Sequence, residues 1–256
     1  MKGKCVMEDR KPLGRKSYGH IAHLPDSRMG PGDHRCHEGQ ARIATLQKRD
    51  KHDYIFVTEK LDGSNVGIAR IGENLYPLTR AGYLANTSPY EQHHKFSDWL
   101  YNNYERCLKL LNDGERLCCE WLIQAHGTRY NLPHEPIICF DIMIDDKRLP
   151  YNETLNRLEF KMTTPTILSV GGVLTIQEAL RRLGEYGNHG ALDIPEGAVW
   201  RVEHKEKFDF MVKYVRPNKE DGIYLPERSG GDPYWNEYKE GKIQWVRWTI
   251  SVEKNK

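Results

Sequence analysis

The chain has 256 residues, of which 38 are basic and 36 acidic, so its formal net charge at pH 7 is only +2. This length suffices for one well-formed core, and the near balance of charge excludes a global polycationic field as the means of binding nucleic acid. No apolar run is as long as a membrane span, and the first residues lack the apolar segment of a signal peptide. The six cysteines are scattered, as expected for reduced core thiols, and we expect a cytoplasmic location.

In chain order, the first fifty residues are rich in glycine, proline, histidine and charge, and residues 28–35 are predicted to form an irregular loop. Residues 54–57 and 66–69 are predicted strands flanking a turn. Apolar residues at helical spacing predict one helix between Ser88 and Gly114, and a second helix is expected to begin at Thr175 with a capping box. The other apolar runs have the length of strands: residues 117–123, 137–144, 198–202, 208–215 and 243–250.

These strands and helices do not alternate regularly along the chain. The pattern therefore favours an α+β fold with mostly antiparallel sheets over a doubly wound parallel sheet. No internal repeat or low-complexity linker divides the sequence, so we expect a single domain over residues 1–256.

The segment from Thr58 to Asn65 places a lysine where it could act as a nucleophile. Lys60 is predicted at a strand end, two residues before Asp62 and three before Gly63, which allows a ligand close to the backbone. Taken alone, the segment fits a surface hairpin with a solvated lysine equally well. A nucleophilic lysine must lose its proton, which requires a pKa lowered by burial or by nearby positive charge; Lys213 or a bound metal is a candidate source.

Six segments in a fixed order resemble the motifs of the covalent nucleotidyltransferases, which comprise polynucleotide ligases and mRNA capping enzymes. They are Lys60-Leu61-Asp62-Gly63, Thr79-Arg80-Ala81-Gly82, Cys119-Glu120-Trp121, Cys139-Phe140-Asp141-Ile142, Pro195-Glu196-Gly197-Ala198-Val199 and Phe210-Met211-Val212-Lys213-Tyr214-Val215. Glu59 before the lysine and Asn65 after it resemble the RNA ligase 2-type branch. Residues 18–25 also resemble the start of such a ligase domain.

The resemblance implies a nucleotidyltransferase (ATP-grasp-like) domain of two mostly antiparallel sheets with flanking helices around a nucleotide cleft. It also implies an ATP-dependent RNA ligase that joins 5′-phosphate and 3′-hydroxyl RNA ends through a covalent lysyl-AMP intermediate and an adenylated RNA end. ATP would be the cosubstrate, Mg²⁺ or Mn²⁺ the metal, and RNA ends or nicked RNA the substrate, with an accessory protein as a candidate for RNA delivery.

The same resemblance assigns roles around the nucleotide. Lys60 takes the nucleophile role, and Glu59 and Asn65 hold the nucleotide. Arg80 suits a phosphate or ribose contact because its planar fork makes paired hydrogen bonds, although an ordinary turn arginine is the alternative. Glu120 would accept a hydrogen bond from a ribose hydroxyl.

Three further roles come from the later motifs. Phe140 would stack on adenine, with plain core packing as the alternative. Glu196 fits a site for metal-bound water, since Mg²⁺ tends to keep its waters. Lys213 interrupts an apolar run and is expected to need a partner.

The last motif departs from the family pattern, which often has two lysines at alternate positions. Here Met211 and Val215 flank Lys213, so one phosphate contact is missing unless Arg216 supplies it. Residues 217–256 are too few for a separate OB barrel. We therefore expect a near-minimal catalytic domain whose grip on RNA comes from a partner or from local residues: His20, Arg28, His34, Arg35, or the Tyr234-Trp235 segment.

Two other functions remain open from the sequence. A DNA ligase or an mRNA capping nucleotidyltransferase of the same superfamily would differ in base or polymer. A noncatalytic nucleotide- or RNA-end-binding module would retain the fold, although such a protein has no need of Lys60, Glu196 and Lys213 together.

Overall fold

A computed structural model describes residues 11–244 as an α+β fold built on two five-stranded sheets. The strands are β1 (Ala22–His23), β2 (Asp53–Lys60), β3 (Ser64–Ile71), β4 (Asn74–Thr79), β5 (Glu115–Trp121), β6 (Asn131–Leu132), β7 (Ile137–Ile144), β8 (Lys147–Arg148), β9 (Ile167–Val170), β10 (Gly197–His204), β11 (Lys207–Val215) and β12 (Glu237–Tyr238). The helices are α1 (Glu38–Thr45), α2 (Glu91–Asn102), α3 (Tyr104–Leu110), α4 (Tyr151–Leu158), α5 (Ile176–Leu183) and α6 (Pro226–Ser229).

The two sheets are almost entirely antiparallel, which confirms the predicted fold class. The first sheet has the order β1-β11-β10-β2-β9, and the second has the order β4-β3-β5-β7-β8. Within these sheets only the pairing of β1 with β11 is parallel. The short β6 and β12 form a separate parallel pair. Among residues 11–244, no helix has both the length and the apolar character needed to cross a membrane.

Each sheet buries one face in its own apolar core and turns the other face towards a shared cleft. Because side chains alternate along a strand, Val57, Trp200 and Val212 enter the core of the first sheet while their neighbours face the cleft. Helices α1 and α5 cover this core. The second core lies beneath α2 and α3 and includes Leu117 and Trp121.

The predicted helix between Ser88 and Gly114 is divided in two. Its apolar positions are buried as expected, but α2 ends at Asn102 and α3 begins at Tyr104. The amide Nδ2 of Asn103 donates to the carbonyl of Trp99 at 2.8 Å, a local bond that competes with the helix. The second predicted helix is confirmed, because Thr175 caps α5 by accepting from the backbone N–H of Glu178.

The N-terminal region differs from expectation. Helix α1, which the composition of the first fifty residues did not suggest, packs on the first sheet. The predicted strand at residues 243–250 lies almost wholly outside the described residues. Residues 216–244 contain the short α6 and β12 rather than a barrel.

A buried ionic cluster joins the two sheets at the floor of the cleft. Asp141 on β7 accepts hydrogen bonds from Arg201 on β10, from the hydroxyl of Tyr18 at 3.0 Å and from Arg148 at 2.9 Å. Arg201 also donates to Glu203 at 2.8 Å. These contacts fix the separation of the sheets.

We predict that Asp141→Ala lowers the free energy of unfolding by about 3–5 kcal/mol, because it leaves buried arginine charge uncompensated. Asp146→Ala is the matched control, since Asp146 pairs with Arg15 at the surface and its removal should cost less than about 1 kcal/mol. Denaturant unfolding of both variants measures the difference. Equal, small losses would contradict a joining role for Asp141.

Candidate active site

The cleft between the sheets is a cavity of about 650 Å³, within the usual size of small-ligand sites. Strands of both sheets and the segment before β1 line it. The structure brings together all eight residues to which the resemblance gives a role: Glu59, Lys60, Asn65, Arg80, Glu120, Phe140, Glu196 and Lys213.

Lys60 ends β2 on the cleft face, and its ammonium is held by Glu196. The Nζ–Oε2 distance is 2.5 Å, because the antiparallel register places Lys60 opposite Gly197, directly after that glutamate. Burial favours a lower pKa for Lys60, but the carboxylates of Glu196, Glu120 and Asp62 outweigh it and raise the pKa. In this state Lys60 is therefore an ammonium ion, the opposite of the protonation state that a nucleophile needs.

Glu120 and Glu196 are two acids near Lys60 with raised pKa values. Burial raises the pKa of each to about 7; the carboxylate of Glu196 contributes for Glu120, and that of Asp62 contributes for Glu196. Oxygen donors of this kind suit a hard divalent cation. Among the described residues, the three side chains whose ligand atoms lie close enough together to hold one metal ion are elsewhere, at Asp50, Asp53 and His204. Within the part of the chain that the structure describes, the cleft therefore offers a cation separate carboxylates rather than such a three-ligand group.

Two motif glycines are explained by close backbone approaches. A Cβ on Gly63 would lie 2.5 Å from the carbonyl oxygen of Trp121, and one on Gly197 would lie 1.9 Å from that of Tyr214. Gly197 also has a φ of 158°, which L side chains rarely adopt. Both glycines let the chain beside Lys60 or Glu196 pack tightly against a neighbouring strand.

Phe140 faces the cleft because of a β-bulge. Cys118 pairs with Asp141 and Cys119 with Cys139, so Phe140 is the extra residue of β7. The ring is only partly buried and meets Tyr18 edge to face, with centroids 5.3 Å apart. This exposure favours a ligand-facing ring over plain core packing.

Asn65 and Glu59 differ in how they border the cleft. Asn65 pairs with Glu120 across β3 and β5, and its buried Oδ1 has no hydrogen-bond partner within the described residues, so it can accept from a ligand. The Glu59 carboxylate instead accepts from the backbone N–H of Asn188, and burial raises its pKa to about 7.

Arg80 stands at the rim and Lys213 deeper in the cleft. Arg80 donates to the carbonyl of Gly19 at 3.0 Å and remains exposed. Lys213 lies 3.6 Å from Asp33, and burial, followed by the charge of Lys60, lowers its pKa. His20 lies near Arg80, whose charge lowers the pKa of His20.

Arg216 does not take the place of a second lysine. Its guanidinium donates to the carbonyls of Pro195 and Gly184 rather than lining the cavity. Met211 lines the cleft on the same face as Lys213. The departure from the two-lysine pattern therefore remains, with a thioether in the alternate position.

Sequence reasoning missed Lys219, a buried lysine beneath the Lys60 turn. Its Nζ donates to the carbonyl of Gly127 and the hydroxyl of Thr128, both at 2.6 Å, and to the carbonyl of Ile194 at 3.0 Å. It also lies 3.8 Å from Asp62, which accepts from the backbone N–H of Gly127. No local pattern in the sequence marks this residue.

The model of the RNA ligase family matches residues 53–215, which is more than half of the chain, and the chain belongs to this family. No curated protein sequence matches the chain.

Solved structures similar to the chain include three ligases. A Naegleria gruberi RNA ligase with PPi is 19% identical, with a TM-score of 0.48, and the match covers 70% of this chain and 53% of that one. A putative ATP-dependent DNA ligase from Aquifex aeolicus is 20% identical, with a TM-score of 0.48, covering 77% and 49%. An archaeal ATP-dependent RNA ligase is 20% identical, with a TM-score of 0.39, covering 64% and 42%. The chain thus spans about half the length of such structures.

We predict that Lys219→Met lowers the free energy of unfolding by about 3–5 kcal/mol, because it leaves the Asp62 charge and three buried oxygens without their donor. Lys51→Met, at an exposed position, is the control and should be nearly neutral. Chemical denaturation compares them. A Lys219→Met variant as stable as the control would show that the ammonium has no anchoring role.

Proposed function

We propose that this protein is an ATP-dependent RNA ligase in which Lys60 carries the AMP. The observation that supports it most is the position of Lys60: its ammonium lies in a nucleotide-sized cleft, in contact with Glu196, and the other predicted site residues line the same cavity. RNA ends or nicked RNA and ATP are the proposed substrates, and a cytoplasmic location is part of the proposal.

In the proposed first step, the neutral amine of Lys60 attacks the α-phosphorus of ATP. An N–P bond forms, the bond from that phosphorus to the bridging oxygen breaks, pyrophosphate leaves with the electron pair, and the nitrogen releases one further proton to solvent. Lys60 must first lose a proton and separate from Glu196, since the ion pair keeps it protonated. A divalent cation at Glu196 would compete for its carboxylate and offset charge on the phosphate oxygens.

The remaining residues would bind and orient the nucleotide. Phe140 would stack on the base and Glu120 would accept from a ribose hydroxyl, with Asn65 offering its free amide oxygen. Lys213 and Arg80 would donate to phosphate oxygens, where charge accumulates during transfer. Glu59 would support the base pocket from behind, through its bond to Asn188.

Two transfers would complete sealing. An oxygen of the RNA 5′-phosphate attacks the phosphorus of lysyl-AMP, the N–P bond breaks, and the amine of Lys60 regains a proton. The RNA 3′-hydroxyl then attacks the 5′-phosphate, releases AMP and gives its proton to solvent.

We predict that incubation with ATP and Mg²⁺ or Mn²⁺ adds one AMP to the intact protein, as measured by mass spectrometry. The adduct should be lost in Lys60→Ala and kept in Lys207→Ala, an exposed lysine of the same sheet. An adduct that persists in Lys60→Ala would contradict the assignment of Lys60 as the residue that carries the AMP. A preference for GTP would indicate a capping enzyme, and ATP binding without any adduct a noncatalytic module.

Phe140 gives a second prediction. Phe140→Leu should raise the ATP concentration for half-maximal adduct formation by about tenfold, because base stacking on an aromatic ring contributes about 1–3 kcal/mol. Its melting temperature should hardly change, since the ring is partly exposed. Phe96→Leu, in the second core, is the control and should show the reverse pattern. A Phe140→Leu variant that only melts earlier would support core packing instead.

A further inference from the structure

The segment before α1 forms one wall of the cleft, although it lies outside residues 53–215. Strand β1 pairs in parallel with β11 and places His23 opposite Lys213. The backbone N–H of Leu24 donates to the carbonyl of Lys213 at 2.8 Å. Asp33, from the loop that follows, lines the cavity. The sequence resemblance assigned no role to His23, Ser27 or Asp33.

Ser27 and His23 form a buried support behind Asp33. The hydroxyl of Ser27 accepts from the backbone N–H of Val215 at 2.9 Å and lies 2.7 Å from Nδ1 of His23. The other ring nitrogen, Nε2, lies 3.0 Å from Asp33 Oδ2, close although not well aligned for a hydrogen bond.

Two further contacts hold the Asp33 carboxylate. Its Oδ2 accepts from the backbone N–H of Gly30 at 3.0 Å. Its other oxygen, Oδ1, lies 3.6 Å from Nζ of Lys213. The carboxylate therefore bridges a rigid support and the lysine of the last motif.

We propose that Asp33 is a positioning residue for Lys213: it holds the ammonium in the cleft, charged and directed at the phosphates of the bound nucleotide. This rests on the proposed function, in which Lys213 donates to those phosphates. Four charged groups surround Lys213, namely the cations Lys60 and Arg80 and the anions Asp33 and Glu196.

The charges around Lys213 explain why it needs this carboxylate. Glu196 is in contact with Lys60 at 2.5 Å and is therefore largely offset by that ammonium. Burial and the two neighbouring cations all disfavour a charged Lys213. Asp33 opposes them from a distance of 3.6 Å, and Asp33 itself has a lowered pKa despite its partial burial, owing to the Gly30 N–H and Lys213.

The test begins with single-turnover adenylation by the full chain. Asp33→Asn should lower the maximal rate by ~10-fold, less than the ~10²-fold loss of a whole phosphate donor. The half-saturating ATP concentration should change less than the maximal rate, the melting temperature should stay the same, and Asp33→Glu should restore part of the rate. Asp26→Asn is the control, since Asp26 is exposed in the same segment and its positive φ tolerates asparagine. A wild-type rate in Asp33→Asn would overturn the proposal.

A double-mutant cycle tests whether Asp33 acts through Lys213 or independently of it. If Asp33 acts through Lys213, Asp33→Asn should cost little further rate in a Lys213→Ala background. If the rate loss of the double variant equals the product of the losses of the two single variants, the proposal is overturned.

A measurement without catalysis distinguishes this proposal from the proposed function. In protein labelled with ¹³C at lysine Cε, the NMR signal of Lys213, assigned by its loss in Lys213→Arg, should titrate at lower pH in Asp33→Asn than in the wild type. An unchanged midpoint would refute the Asp33–Lys213 pairing. A shifted midpoint in a protein that forms no AMP adduct would uphold the pairing and reject the ligase function.

Discussion

The buried carboxylate of Asp141 is the contact on which the shape of the cleft depends. It belongs to the second sheet and binds Arg201 of the first, while Tyr18 and Arg148 occupy its other oxygen. This carboxylate thus ties together two sheets that have separate cores. Since Phe140 immediately precedes Asp141, the same contact sets the distance between the ring and the opposite wall.

Three ammonium groups in and beneath the cleft are each paired with a carboxylate. Lys60 faces Glu196, Lys213 faces Asp33 and Lys219 faces Asp62. A polyphosphate entering such a site does not meet a strongly positive surface. Its charge must be offset by freeing these ammonium groups from their carboxylates or by cations that arrive with it, which gives a physical reason for the divalent metal that the family resemblance implies.

The sequence was sufficient to predict which side chains line the cleft but not which residues hold them in place. Lys60, Glu120, Glu196 and Lys213 were predictable because each stands in a short motif, and strands β2, β3 and β10 were predictable from their apolar residues. Asp33 and Lys219 were not, because their partners of opposite charge, Lys213 and Asp62, are more than a hundred residues away in the chain and nothing local marks them. The bulge at Phe140 and the break at Asn103 likewise depend on pairing and side-chain bonds that a periodicity cannot encode.

The sequence argument also required a lowered pKa for Lys60, whereas the structure has a raised one. The ion pair with Glu196 keeps the Lys60 amine protonated, and a protonated amine is not nucleophilic. An ammonium has no lone pair, so it does not react with aldehydes, activated esters or other electrophiles. In the proposed mechanism, the reactive amine would form only when an incoming ligand draws Glu196 away, so the ion pair would also protect Lys60 from unwanted modification.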